Sequence, residues 1–377
     1  MPNLFIPKEQ AAGETRVAAT PETVRALIKT GITVSVEPDA GAKSFLPDAA
    51  YAEAGATIVT RDAGLASADL VTAVGPLSLD DVRRMRAGSI VIALLAPHRN
   101  TELVRALTEA RIDSLAMELI PRTTRAQTMD ALSSQASIAG YKAALIAATE
   151  LPRYFPLLMT AAGTIKPAKV VVMGAGVAGL QALATARRLG AVVEVSDIRP
   201  AVKEQVQSLG GRFIDLPMEE SGEGAGGYAR EVSADFLRQQ REVLTRHIAA
   251  ADVVITTALV PGRKAPVLVT RDMVEKMRPG SLILDLAVEA GGNCELAQPG
   301  EVTHNGVRIL GLANLAATLS HDASLLYARN ILSLLGDLAP KGVINIDLDN
   351  EIIRGSLLTH DGNVVHAPTA ELLKGSA

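Results

Sequence analysis

The chain has 377 residues, too many for one ordinary compact domain, so its length predicts two. A net charge of −4 argues against nucleic acid as the main partner, and a single cysteine, Cys294, excludes an internal disulfide and any cysteine-based zinc site. Composition is that of a globular protein, and with no Trp and only 3% aromatic residues the core must be built from Ala, Val, Leu and Ile.

Strands and helices alternate from the start. Leu4-Phe5-Ile6 reads as a short strand. Thr20 caps a helix with Pro21 at its first position, and Gly31 stops it. The alternating Ile32-Thr33-Val34-Ser35-Val36 is the next strand. Residues 57–59, 70–74 and 89–94 read as further strands. A second unit opens near Gln135 with an Ala-rich helix over residues 139–149. Lys169-Val170-Val171-Val172-Met173 has the short, apolar, β-branched character of a buried central strand. Strands follow at 192–195, 253–256, 282–285 and 307–310, with a Glu/Gly/Ser-rich surface loop at 217–227. A helical pattern at 323–335 leads to a polar hairpin, 352–355 with 364–366, expected to return to the first domain. The expected fold is α/β, with two Rossmann-like domains, parallel sheets and a discontinuous first domain. The boundaries read as 1–134 plus 320–377 for the N-terminal α/β domain, and 135–319 for the second.

The strongest signal is Gly174-Ala175-Gly176-Val177-Ala178-Gly179, which follows a strand and opens a helix at 180–189. Gly174 permits a tight turn, Gly176 lets a pyrophosphate approach the backbone, and Gly179 lets the helix pack close to the strand. The helix N-terminus offers unpaired N–H groups and a partial positive charge to phosphates. Asp197 ends the next strand, 18 residues after Gly179, where a carboxylate can bond the adenosine ribose and repel a 2′-phosphate. Together these make the second domain an NAD-binding Rossmann domain and favour NAD over NADP, with Arg199 close by as the one contrary feature. The bland alternative is a strand-to-helix turn without a ligand and a solvated Asp197.

Most of the chain resembles the NAD(H)-binding component of proton-translocating nicotinamide nucleotide transhydrogenase, itself similar to alanine dehydrogenase. The resemblance rests on "IPKE", "TRVAATPETV", "PRTTRAQTMDALSSQASIAGY", "MTAAGT", "VMGAGVAGLQALATARRLGAVVEVSDIR", "AGGYARE", "TTALVPGRKAPVLVT" and "GSLILDLAVEAGGNCE". It implies a homodimer that binds NAD(H) and docks a separate component carrying NADP(H). Hydride would pass directly between the two nicotinamides, coupled to proton movement through membrane-spanning subunits. It also implies that Arg122, Gln127, Asp130 and Ser133 surround the nicotinamide. Ala175, Gly176 and Val177 would face the pyrophosphate, with Asp197 and Arg199 at the adenosine. Gly227 and Tyr228 would lie on a mobile loop, Gln240 just beyond it, and Leu259 over the cofactor. From the residues alone, 122–133 is a polar loop ending in a helix N-cap, and Tyr228 a packing residue; only the resemblance reads them otherwise.

Two other readings stand beside this one: a catalytic amino-acid dehydrogenase of the alanine type, and a non-catalytic NAD-sensing module. Oxidative deamination needs a general acid/base and cations for a carboxylate. Alanine dehydrogenases take a Lys and a His from strands of the first domain. Here Thr72-Ala73-Val74 contains no Lys, Leu94-Leu95 stand where the His is expected, and His98 is displaced. Arg16 matches the substrate Arg of that family but also occurs in transhydrogenases, and an expected Asp is Glu289. Hydride exchange between nicotinamides needs proximity and orientation, not a base. The six His show no metal-ligand spacing, so no metal is expected. With no signal peptide and no apolar run near the roughly 20 residues that cross a bilayer, direct membrane insertion is not expected. The expected location is cytoplasmic, peripheral to the inner membrane through partner subunits.

Overall fold

The computed structural model describes residues 1–217, 234–259, 262 and 264–374. The chain divides into two compact units, Met1–Gln135 with Ala316–Ala377, and Ala136–Leu315. Its strands are β1 Asn3–Ile6, β2 Thr33–Val36, β3 Thr57–Ile58, β4 Leu70–Thr72, β5 Ile90–Ala93 and β6 Asp113–Ala116, then β7 Leu158–Thr160, β8 Gly163–Ile165, β9 Lys169–Met173, β10 Val192–Ser196, β11 Arg212–Phe213, β12 Val253–Thr256, β13 Leu282–Asp285, β14 Gly300–His304 and β15 Val307–Gly311, and in the tail β16 Leu357–His360 and β17 Asn363–Val364.

The first unit holds one sheet in the order β17-β16-β6-β5-β4-β1-β2-β3. Strands β1 to β6 pair in parallel, and the tail strand β16 joins β6 antiparallel, which makes this unit discontinuous. Both faces are buried, as continuous apolar strands require. Around β4, Leu70 and Val74 enter one core, with Tyr327, Ile331 and Leu334 of the helix Ser320–Leu338. Val71 and Ala73 enter the other, with Leu65 of Arg61–Ser67 and Leu107 of Thr101–Glu109. The helix Pro21–Lys29 begins with a reciprocal Thr20–Thr23 capping box and Pro21 in its first turn, and Gly31 follows it at φ +94°.

The second unit has the order β11-β10-β9-β12-β13-β15-β14, parallel except for β14 at the edge. The helices Ala131–Glu150 and Val177–Arg188 cover one face with small side chains: Ala143, Ala144 and Ala147, and Ala182 and Ala186 beside Leu183. Gly140 shows how close this packing is, because a Cβ placed there would lie 2.0 Å from the Ala178 carbonyl oxygen.

Three departures from sequence expectation have local causes. The helix expected at 139 begins at Ala131, because Asp130 accepts the Ser133 amide at 2.9 Å and caps it. Residues 352–355 are not a strand but part of the helix Glu351–Ser356, whose Ile352 amide donates to the Asn350 side chain at 3.0 Å. The hairpin moves to β16 and β17. The strands β6, β11 and β14 and the β7–β8 hairpin carry weak local signals; β6 is made by pairing on both sides, to β5 and β16. No helix among the described residues is long and apolar enough to cross a membrane.

Two packing details give measurable expectations. Thr72 is fully buried in β4 opposite Ile92, and its Oγ1 has no hydrogen-bond partner among the described residues. Thr72→Val removes an unpaired hydroxyl at nearly constant shape and should raise the unfolding free energy by about 1–2 kcal/mol, read from urea midpoints. Gly140→Ala should do the reverse. Its clash is with backbone, so strain of about 1–3 kcal/mol outweighs a gain of about 1 kcal/mol in helix propensity. A variant as stable as the parent would mean that the two helices are not held at this distance.

Candidate functional site

In the second unit the glycine turn joins β9 to the helix Val177–Arg188. Gly174 adopts φ +105°, and its amide donates to Ser196 O at 2.8 Å. A Cβ on Gly179 would lie 1.8 Å from Gly174 O, and one on Gly174 would lie 2.8 Å from Thr257 Oγ1. Both glycines are therefore demanded by the chain itself. Gly176 is different. As helix N-cap it has φ −78° and ψ −173°, open to any residue, and an added Cβ would meet nothing within 4 Å among the described residues. The 12-residue helix directs its unpaired N–H groups and positive dipole end toward this opening, flanked by Val177, which is partly exposed.

Asp197 follows β10 and ties the turn in place. Its Oδ2 accepts the Ala175 amide at 2.7 Å and Arg199 Nη2 at 3.0 Å, while Oδ1 accepts the Arg199 amide at 2.8 Å and Nε at 2.9 Å. Burial works to raise its pKa, but the Arg199 guanidinium and the two backbone amides prevail and hold the carboxyl below its usual range. The carboxylate is nearly buried, whereas 58% of the Arg199 side chain is exposed. Gln240 Nε2 donates to Pro217 O at 3.0 Å, and Leu259 is exposed. Gly227 and Tyr228 lie outside the described residues.

Three residues of this unit were not singled out from sequence. Thr257 Oγ1 donates to Gly174 O at 3.1 Å and fills the space beside both structural glycines. Asn293 is fully buried and bonds both the amide and the carbonyl of Ala258, at 3.0 and 2.9 Å. Asp285 Oδ2 accepts the amides of Asn293 and Cys294, both at 2.7 Å. Thr257 and Asp285 carry one sequence signal, a polar residue at or just past the end of an apolar strand; Asn293 follows a Gly-Gly turn and carries none.

In the first unit, Arg122, Gln127, Asp130 and Ser133 line one cleft of about 300 Å³, with Thr123 and Thr124 between them. Ala126 and Met129 are buried and anchor the short turn Gln127–Met129. Asp130 and Ser133 satisfy each other: Oδ1 accepts the Ser133 amide and Oδ2 accepts Ser133 Oγ at 2.6 Å. Arg122 and Gln127 are exposed, and their side chains have no hydrogen-bond partner among the described residues. The cleft thus offers a ligand one cation and one neutral amide.

Nearby ionisable groups of this unit are engaged elsewhere. Arg16 is buried and grips Glu14 through Nε at 2.8 Å and Nη2 at 2.6 Å, while its Nη1 donates to Gln135 Oε1 at 2.9 Å. Glu9, from the "IPKE" stretch, accepts the amides of Val74 at 2.6 Å and Gly75 at 3.3 Å. Burial pushes its carboxyl up to about 7, against those two bonds, with Glu14 adding to the rise and Arg16 opposing it. His98 of this unit and Glu289 of the second unit are exposed. Asp113, His360 and Asp361 come within ligating reach of one another, but the two His360 ring nitrogens face different carboxylates, Asp113 at 3.1 Å and Asp361 at 3.6 Å. That arrangement clamps the β16–β17 hairpin to β6.

Comparison with known proteins gives the chain its family. Residues 5–139 match the N-terminal domain, and residues 143–367 the C-terminal domain, of the alanine dehydrogenase/PNT family. The chain is 47% identical over 374 residues to a chain of the NAD(P) transhydrogenase alpha subunit of Rhodospirillum rubrum, covering 96% of this chain and 97% of that one. It is 46% identical to the transhydrogenase of Sinorhizobium meliloti in its crystal structure, with a TM-score of 0.85, over 97% of this chain and 99% of that one. Alanine dehydrogenase of Staphylococcus saprophyticus is 29% identical over 377 residues, 98% of this chain and 96% of that one. The chain belongs to the alanine dehydrogenase/PNT family, and within it to the NAD(P) transhydrogenase alpha subunits.

Proposed function

We propose that this chain is the NAD(H)-binding component of a proton-translocating transhydrogenase. It exchanges hydride directly with NADP(H) held on a separate component, and membrane-spanning partner subunits keep it at the cytoplasmic face of the inner membrane. One observation carries the nucleotide assignment: Gly176 is a glycine that neither its backbone angles nor its neighbours among the described residues require. Open space over a glycine at a helix N-terminus is what a pyrophosphate lying against the backbone needs. The similarity to transhydrogenase alpha subunits supports the partner assignment.

The bound nucleotide supplies or takes up the hydride; this chain's residues hold and orient it. Ala175, Gly176 and Val177 present backbone N–H groups to the phosphates. Asp197 accepts the ribose hydroxyls once the exposed Arg199 side chain turns aside, the hydroxyls taking over the bonds that the guanidinium gives up. Because Asp197 stays ionised at neutral pH, it also repels a 2′-phosphate. Arg122 and Gln127 take the nicotinamide end, on a loop stiffened by the Asp130–Ser133 cap. Direct exchange calls for no acid or base, and the engagement of Arg16 with Glu14 and Gln135 leaves it poorly placed to hold an amino-acid carboxylate. A homodimer is supported by the β7–β8 hairpin, a two-stranded sheet of its own that exposes Leu157, Met159 and Ile165.

Mixing the protein with a purified NADP(H)-binding component and following hydride transfer tests the proposal; turnover of alanine or pyruvate by this chain alone would replace it with the dehydrogenase reading. Asp197→Ala should weaken NADH binding by about 1.5–3 kcal/mol, through a lost charge-assisted bond and a released Ala175 amide. Equal affinity of the unmodified protein for NADH and NADPH would count against Asp197 as the discriminating group. Gln127→Ala should keep NADH affinity within about tenfold. Transfer to partner-bound NADP⁺ should drop by about a hundredfold, because a ring misplaced by about 1 Å loses its alignment. An unchanged rate in rapid-mixing experiments would remove Gln127 from the site.

A further inference from the structure

The loop carrying Gln127 is fastened from behind by a residue that lines no part of the cleft. Asn330 sits on the helix Ser320–Leu338 and is only 7% exposed. Its Nδ2 donates to Thr128 O at 2.8 Å, and its Oδ1 accepts from Ser134 Oγ at 2.7 Å. One planar amide thus grips the middle of the turn Gln127–Met129 and the first turn of the helix Ala131–Glu150. The grip is itself braced. Gln135 Nε2 donates to Ser134 Oγ at 3.3 Å and to Ala323 O at 3.1 Å, and its Oε1 holds Arg16. A surface pair, Arg125 with Asp337 at 2.7 Å, ties the same loop to the same helix.

We propose that Asn330 is a positioning residue for hydride transfer, setting the orientation of Gln127 and of the Asp130 cap without touching the nucleotide. The proposal rests on the reading of this cleft as the nicotinamide site. The physical case is specific to an amide. Asn330, itself nearly buried, gives the turn carbonyl a donor and the Ser134 hydroxyl an acceptor closer than its alternative, Ala131 O at 3.1 Å, both on one rigid plane. Aspartate has the same shape but offers no donor to Thr128 O. The exposed Arg125–Asp337 pair cannot replace it, because it is solvent-screened and joined by long, mobile side chains.

The test compares Asn330→Asp, Gln127→Ala and the double variant. Asn330→Asp should slow transfer to partner-bound NADP⁺ by about 10–100-fold, with NADH affinity held within about threefold. The double variant should be no slower than Gln127→Ala alone, whereas independent effects would multiply. A second readout needs no partner and no nucleotide: amide hydrogen exchange in the 126–134 segment should speed up in Asn330→Asp while that of β9 stays unchanged. Ser134→Ala, which breaks one bond of the two, should show the same pattern more weakly, and it carries the test if Asn330→Asp does not fold. Multiplying effects, a parallel loss of rate and affinity, or unchanged exchange at 126–134 would each overturn the proposal. If the unmodified protein transfers nothing, the nicotinamide reading fails and the positioning role with it, whereas normal transfer in Asn330→Asp removes only the positioning role.

Discussion

The second unit depends on backbone lying against backbone with no side chain between. Gly179 lets the helix Val177–Arg188 reach the Gly174 carbonyl, and Gly140 lets a second helix reach the first turn of that same helix at Ala178. Thr257 closes the remaining gap with a hydroxyl bonded to Gly174 O. Contacts at this distance cannot slide, since a Cβ added at Gly179 or Gly140 meets a backbone carbonyl and not a movable side chain. The consequence is a helix N-terminus aimed in one direction, with its N–H groups arranged before any anion arrives. Preorganisation of this kind favours binding because the ordering cost is met during folding.

The first unit reaches rigidity by a different route. Its buried charges are neutralised locally, Arg16 by a two-pronged contact with Glu14, and the leftover donors and acceptors are linked through Gln135 and Ser134 to Asn330. An unpaired charge in such a place would cost several kcal/mol, so the members are retained as a set. Within the cleft, Asp130 and Ser133 answer each other's hydrogen bonds. Arg122 and Gln127 remain for a ligand. Two groups of one loop therefore face outward because two others have turned inward.

Alanine dehydrogenases and this chain share a family and a fold, yet the chemistry open to each is set by a few side chains. By the family resemblance, Leu94-Leu95 stand where a dehydrogenase would carry a His, and the stretch Thr72-Ala73-Val74, which matches the one carrying its Lys, contains none. Thr72 is buried with an unpaired hydroxyl, while just beyond β4 the Val74 amide donates to Glu9 and the Tyr327 hydroxyl to Ala73 O. A reaction that moves only a hydride calls for no acid or base, only for the two rings to be held in register.

Much was readable from the sequence wherever one local rule was enough. Thr20, Pro21 and Gly31 mark both ends of a helix, because capping and left-handed backbone are properties of single residues. The run Lys169–Met173 and the glycines after it announce a buried strand and a helix-opening turn for the same reason. The resemblance also named Arg122, Gln127, Asp130 and Ser133, but their bare sequence pattern is that of a polar loop with a cap, which Asp130 and Ser133 indeed form. What only the tertiary structure decided is whatever depends on partners distant in the chain. Asp113–Ala116 becomes a strand because β5 and the tail strand β16 lie on either side of it. Asn330 meets Thr128 across 202 positions, and Asp197 meets Ala175 across 22. Gly140 looks like a flaw in an Ala-rich helix until Ala178 is seen against it. Periodicity and propensity describe a residue and its near neighbours; a hydrogen bond or a close approach between remote segments exists only once the chain has folded them together.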